Sequence, residues 1–175
     1  MILLSITPLF LSGAVEDYIP DSLKTKFEQA GITEKIGMWL ELAKDQYYKN
    51  PEQTVLYSEK ALALAEESNN QRLQAEALVH MGVGYSMLSN NEKAVENHLK
   101  GLTIAEQIGD EALLATLHNE LGIDYRFIGD FDKSVHHFLK ALTLKEQRQG
   151  NPPTADEKKS IANTMNNIGV VYDEA

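Results

Sequence analysis

A chain of 175 residues, 43% hydrophobic and 24% charged, is long enough to bury a core and too apolar to stay disordered. Its net charge of −10, from 16 Lys and Arg against 26 Asp and Glu, repels phosphate backbones, so this segment is not expected to bind nucleic acid. The lack of cysteine excludes disulfides, thiolate metal sites and a cysteine nucleophile.

Residues 1–14, MILLSITPLFLSGA, carry no charge. The apolar run is shorter than the roughly 20 residues that a membrane-spanning helix needs. Ser12 and Ala14 fit the cleavage pattern of a secretory signal, with Val15 as the new terminus, although no Lys or Arg precedes the run. The alternative is an apolar segment folded over the first repeat. A signal would place the mature chain in the periplasm or otherwise outside the cytoplasm; without one it is cytoplasmic. Residues 15–32 are expected to hold an N-terminal capping helix, begun at Asp21 and ended at Gly31, since Asp favours the N-cap and Gly the position past the last turn.

From there the chain reads as helix after helix. Thr33 can cap a helix carrying Ile36, Trp39, Leu40, Ala43 and Tyr47 at helical spacing. Asn50-Pro51 breaks it, and Pro51 suits the first turn of a successor with Val55, Ala61, Leu62, Leu64 and Ala65 on its apolar face. Asn69-Asn70, Asn90-Asn91, Gly109-Asp110 and Gly129-Asp130 then punctuate the chain about every 20 residues, a spacing that suits helix pairs joined by short loops. No segment alternates as a strand would. Pro152 and Pro153 stop the next-to-last helix, and Thr154 with Glu157 makes a capping-box pattern for the last. That helix carries Met165, Ile168, Gly169 and Tyr172, and its apolar face lacks a following partner, so a longer protein is expected.

The helices repeat. MGVGYSMLSNNEKAVENHLKGL, from Met81 to Leu102, comes back as LGIDYRFIGDFDKSVHHFLKAL, from Leu121 to Leu142. Gly82 and Gly122, Tyr85 and Tyr125, and Lys100 and Lys140 are each 40 residues apart, with Lys60 and Leu62 in the same register. Gly169 follows Gly122 by 47, so seven residues are inserted near 149–156. Such a period means stacked repeats, here 33–70, 71–110, 111–150 and a truncated 154–175. Gly82 and Gly122 fall where the helices of a pair would cross, and without a Cβ they permit close approach.

A leucine-type residue, Gly, two residues, Tyr, then a small residue nine positions on resembles the tetratricopeptide repeat. It stands as Met81-Gly82, Tyr85 and Ala94; as Leu121-Gly122, Tyr125 and Ser134; and, cut short, as Ile168-Gly169 and Tyr172. The first copy departs from it, with Leu42 for the glycine, Asp45 for the tyrosine and Thr54 for the small residue, though Ala61-Leu62 keep the second helix's signature. The family's usual period is about 34 residues, so this is a longer-helix variant. The resemblance spans Glu34 to Ala175. It implies an all-α fold, a right-handed α-solenoid of antiparallel helix pairs, whose first helices line a concave groove for a protein or peptide.

Carried over by position, the groove holds Glu76 and Val79, then Thr116 and Asn119, then Asn163 and Asn166. Val83, Ile123 and Val170 are expected on its floor, Arg126 and Phe127 further along, and His80 as the groove-side histidine. The carboxamides of Asn119, Asn166 and Asn167 can meet a peptide backbone as both donor and acceptor, and repeats of the kinesin light chain type have similar paired asparagines. A grip on a ligand's terminal carboxylate would need Lys or Arg at the repeated positions, which hold Val, Asn and Asn, so that kind of clamp is not expected. Long-helix repeats of this sort also resemble those of bacterial sensor proteins. This implies the N-terminal sensory or scaffolding part of a larger signalling protein, with a membrane helix and an output domain downstream. A stand-alone adaptor or assembly protein is the alternative.

Nothing points to catalysis or to a cofactor. His98 aligns with Phe138, and His118 with Leu78 and Met165, all packing positions. His136 and His137 are neighbours that point about 100° apart on a helix and cannot share a metal. Lys133 and His137 read as a solvated face. There is no HExxH, no glycine-rich phosphate loop and no defensible Ser/His/Asp order, so no enzyme and no metal site is expected.

Overall fold

The computed structural model describes residues 19–150 and 152–175. The proposed signal segment 1–14 and its cleavage point lie outside the described residues. Among the described residues there are eight helices and no strand: α1 (Asp21–Gln29), α2 (Ile32–Gln46), α3 (Pro51–Glu67), α4 (Gln71–Met87), α5 (Asn91–Ile108), α6 (Glu111–Ile128), α7 (Phe131–Arg148) and α8 (Ala155–Glu174). No helix among them is long and apolar enough to cross a membrane.

Four of the loops are built the same way. Each has one residue in the left-handed region, Asn69, Ser89, Gly109 or Gly129, followed by a capping residue, Asn70, Asn90, Asp110 or Asp130. The capping residue's N–H donates back to a carbonyl five residues earlier: Ala65, Tyr85, Ala105 or Tyr125. Its side chain then accepts from the backbone N–H three residues on, at Leu73, Lys93, Leu113 or Lys133. One residue thus closes the outgoing helix and opens the next, which keeps the loops short. Thr154 and Glu157 make the full reciprocal capping box at α8.

Two expected helix starts are displaced. Asp21 lies inside the first turn of α1, where it pairs with Lys24 at 2.7 Å; extended Pro20 takes the capping position and its carbonyl accepts from Leu23. Thr33 lies inside α2, which begins at Ile32 from Gly31, with the Gly31 carbonyl accepting from Lys35. In both cases an extended residue just upstream supplies the first helical carbonyl, so the chain needs no side-chain cap.

Each helix packs on the one before it from α2 to α8. The first helices of successive pairs also touch across the stack, α2 with α4, α4 with α6 and α6 with α8, whereas α3, α5 and α7 make no contact of similar extent with one another. The first helices therefore form the inner, tighter side of the solenoid. Gly82 and Gly122 lie at the crossings within the pairs: a Cβ on Gly82 would come within 2.3 Å of the His98 ring, and one on Gly122 within 2.6 Å of Phe138. Gly84 serves the next interface instead, where a Cβ would meet Val55 at 2.8 Å.

The first repeat, which lacks the crossing glycine, is held by rings. Trp39 lies edge-on to Phe27 of α1 at 5.2 Å and is stacked on Tyr57 at 5.5 Å. Thr54, at the small-residue position, is fully buried and donates to the Ala43 carbonyl at 3.0 Å; Ser134, at the same register, donates to that of Gly122 at 2.7 Å. A second core cluster joins α4, α5 and α6 through Ala75, Val79, Leu102, Ala105, Leu113, Leu117 and Leu121.

Candidate functional site

The inner side opens into a cavity of about 320 Å³ where α6, α7 and α8 meet, lined by Asn119, Lys145, Ser160, Asn163, Asn166 and Asn167. Asn119 is held in place: its Oδ1 accepts from the Thr164 hydroxyl at 3.2 Å and its Nδ2 donates to Glu120 at 3.3 Å. Lys145 Nζ donates to the Thr164 hydroxyl at 2.7 Å and to the Ser160 carbonyl at 3.4 Å. Burial pushes the Glu120 carboxyl up, against the pull of His98, Asn119 and Lys145. Burial also pulls the Lys145 ammonium down, with Glu120 acting in the other direction.

The structure brings together four of the expected groove residues, Asn119, Asn163, Asn166 and Asn167, and disperses others. Val79 is a correction: it is 7% exposed and belongs to the core cluster with Leu102 and Leu117, because its place on α4 faces the helix crossing and not the groove. Arg126 is not free for a ligand either; it pairs with Glu174 at 2.9 Å across α6 and α8 and lies over the Phe127 ring. Glu76 is paired with Arg72 at 2.9 Å. Thr116 is exposed and donates to the Ala112 carbonyl of its own helix. His80 is half-buried against Tyr47, to which it is hydrogen-bonded, and burial brings its pKa down to about 4. Val83, Ile123 and Val170 are half-buried, and Phe127 is 50% exposed.

Residues 73–147 match a family described as tetratricopeptide repeat. They cover α4 to α7 almost completely. Among solved structures, the apo form of RapI resembles the chain with a TM-score of 0.70 and 21% identity over 86% of its length. BtubC (BKLC) from P. vanneervenii does so with a TM-score of 0.70 and 19% identity over 85%. At these identities the likeness is one of fold. The chain spans 41% of the RapI chain and 59% of the BtubC chain. No match was found among curated proteins. The eight helices share the helical-repeat fold of these neighbours, and residues 73–147 also match the repeat in sequence.

Within the tetratricopeptide register, three side chains at the cavity were missed. Lys145 stands 40 residues after Ala105, while Ser160 and Thr164 stand 47 after Leu113 and Leu117. In the repeat before, those three partners are core residues packed together. The signal was present in the sequence as a charged residue and two hydroxyls in an apolar register; it goes unnoticed when only the motif glycine and tyrosine are aligned.

Two histidine readings also change. His98 occupies the packing position expected, fully buried, but it also forms an ion pair: its Nδ1 is 2.6 Å from Asp124 and its Nε2 is 3.1 Å from the Val79 carbonyl. His137 is not on a solvated face. It is half-buried, stacked on Tyr125 at 5.4 Å, and its Nδ1 lies 3.0 Å from that of His118. Burial lowers both His118 and His137 to about 4, so one neutral ring donates to the other. Among the described residues no group of three or more His, Cys, Asp or Glu could hold a metal.

Proposed function

We propose that this chain is a binding scaffold whose inner groove takes a protein or peptide segment, seated at the carboxamides of α6 and α8. The observation that supports it is the convergence of Asn119, Asn163, Asn166 and Asn167 on one open cavity. Asn163, Asn166 and Asn167 come from successive turns of one helix, and a carboxamide both donates and accepts, as an extended peptide backbone does. The net charge of −10 favours such a partner over nucleic acid.

The test takes peptides retained by the immobilised chain from a random library and measures them against the double variant Asn119→Ala, Asn166→Ala. Losing two hydrogen-bonding anchors at the centre of a contact is expected to weaken binding about tenfold or more. Unchanged affinity overturns the reading.

We further infer that the scaffold serves as the sensory or scaffolding part of a larger bacterial signalling protein. The chain's 41% share of the RapI chain and 59% share of the BtubC chain supports a longer context. Sequencing the surrounding reading frame checks this: a membrane helix and an output domain are expected, and a chain with neither would make it a stand-alone adaptor.

A further inference from the structure

We propose that one edge of the solenoid, where loops close α2, α4 and α6, is a docking surface for an amphipathic helix of a partner protein. That helix carries apolar residues in a seven-residue repeat and a neutral or basic polar face. The edge is separate from the groove: Phe127 stands eight residues past Asn119, about 12 Å further along α6.

The argument starts from the repeat register. The period of 40 places Tyr48, Leu88 and Ile128 at one position and Met87 and Phe127 at the position before it. Tyr48 is 87% exposed, and the other four are between 36% and 50% exposed. These five are half of the large hydrophobic side chains exposed among the described residues, whereas the loops after α3, α5 and α7 expose none there. They are neighbours in space as well as in register, because α2 touches α4 and α4 touches α6. Apolar surface gathered along one edge marks an interaction site, as singly scattered residues do not.

Spacing and backbone chemistry select a helix. Packed helices lie about 8–10 Å apart, and seven residues of α-helix advance about 10.5 Å, so a heptad pattern meets the exposed side chains of one loop per repeat. An extended segment could match that step, but it needs backbone partners. Among the described residues there is no strand edge, and the N–H groups of Asn50, Asn90 and Asp130 already donate to the carbonyls of Gln46, Tyr85 and Tyr125. A helix satisfies its own backbone and asks only for apolar contact. Charge then narrows the partner. Across 49–53, 89–93 and 129–133, three Lys stand beside four Asp or Glu, so the edge is nearly neutral in a chain of net charge −10. It offers no basic patch to anionic lipid, and two copies of the chain would bring like charges together. A neutral or basic helix meets neither obstacle.

The test pans two libraries of peptides, each of about 15 residues, on the immobilised chain. One carries Leu, Ile, Met or Phe at heptad a and d positions with Lys, Gln and Glu elsewhere; the other has the same composition with the apolar positions shuffled. The heptad library should be enriched about tenfold over the shuffled one, with Lys outnumbering Glu in the retained sequences. Leu88→Ser with Ile128→Ser should weaken the retained peptides about tenfold. Leu99→Ser with Leu139→Ser, a similarly exposed pair 40 residues apart on α5 and α7, should leave them unchanged, as should Asn119→Ala with Asn166→Ala in the groove. Melting curves report whether each variant folds, and Tyr48→Ser, at the most exposed of the five, should weaken binding in the same direction should the double variant melt early. Equal enrichment of the two libraries, retained sequences richer in Glu than Lys, or peptides that ignore the edge variants overturn the proposal. So does an edge variant that loses binding to phosphatidylserine vesicles or loses self-association in sedimentation, since the edge then serves a lipid surface or a second copy.

Discussion

His98 shows how one residue can carry a constraint that its alignment hides. Both ring nitrogens face acceptors, Asp124 and the Val79 carbonyl, so the ring satisfies both only as an imidazolium. Burial pulls its pKa down, but the Asp124 hydrogen bond and charge, helped by Glu120 and the Val79 carbonyl, more than offset this and leave it above 6.5. A raised folded pKa means the pair's stabilisation is complete below about pH 6.5 and is lost as pH climbs through the folded value. Stability should therefore fall on the alkaline side, read by urea titration from pH 6.5 to 9. In the following repeat the same register holds Phe138 and Val171, both fully buried, in place of His98 and Asp124. Asp124→Val alone strands a buried cation and should cost about 3–5 kcal/mol, whereas His98→Phe with Asp124→Val should recover most of that and flatten the pH profile. A double variant that kept the alkaline loss would show that another group causes it.

At the scale of the helix, the glycines and left-handed residues sort themselves by what surrounds them. The loops after α3 and α4 force Asn69 and Ser89 to φ of 53° and 58°, where the later loops use Gly109 and Gly129. Asn tolerates that region, but for serine it costs about 1–2 kcal/mol. Ser89→Gly should therefore stabilise the chain, net of the added chain entropy, by about 0.5–1 kcal/mol, and raise the melting temperature a few degrees. Gly122→Leu should destabilise it by about 1–3 kcal/mol, because its Cβ would meet the Phe138 ring. Gly169→Ala has nothing within 4 Å to meet and should gain about 1 kcal/mol of helix propensity. Thermal melts of the three variants test the assignment; a harmless Gly122→Leu would show the crossing point to be misplaced. The breaks at Asn69-Asn70, Asn90-Asn91, Gly109-Asp110 and Gly129-Asp130 were legible because capping chemistry is local. The starts at Asp21 and Thr33 were not, because the carbonyls of Pro20 and Gly31 open those helices and leave no side-chain mark.

Across the whole molecule, the period of 40 made the solenoid readable, since every repeat must bury its face on the next. The groove was only partly readable, because the periodicity says which residues share a helix face but not which of them the neighbouring helix covers. Val79 and Asn119 share a register, yet one is in the core and the other lines a cavity. In a stacked array, stability is a sum over joints, so a polar joint is a weak one. The α5–α6 joint packs Ala105 against Leu113 and Leu117, while α7–α8 sets Lys145 against Ser160 and Thr164. Hydrogen exchange should accordingly find the α8 amides opening at lower free energy than those of α4 to α6. Lys145→Ala with Ser160→Leu and Thr164→Leu copies the apolar joint and should slow exchange in α8 by about 2 kcal/mol, of the order of one buried leucine. Faster or unchanged exchange in α8 would mean that the polar joint is no weaker than its apolar counterpart.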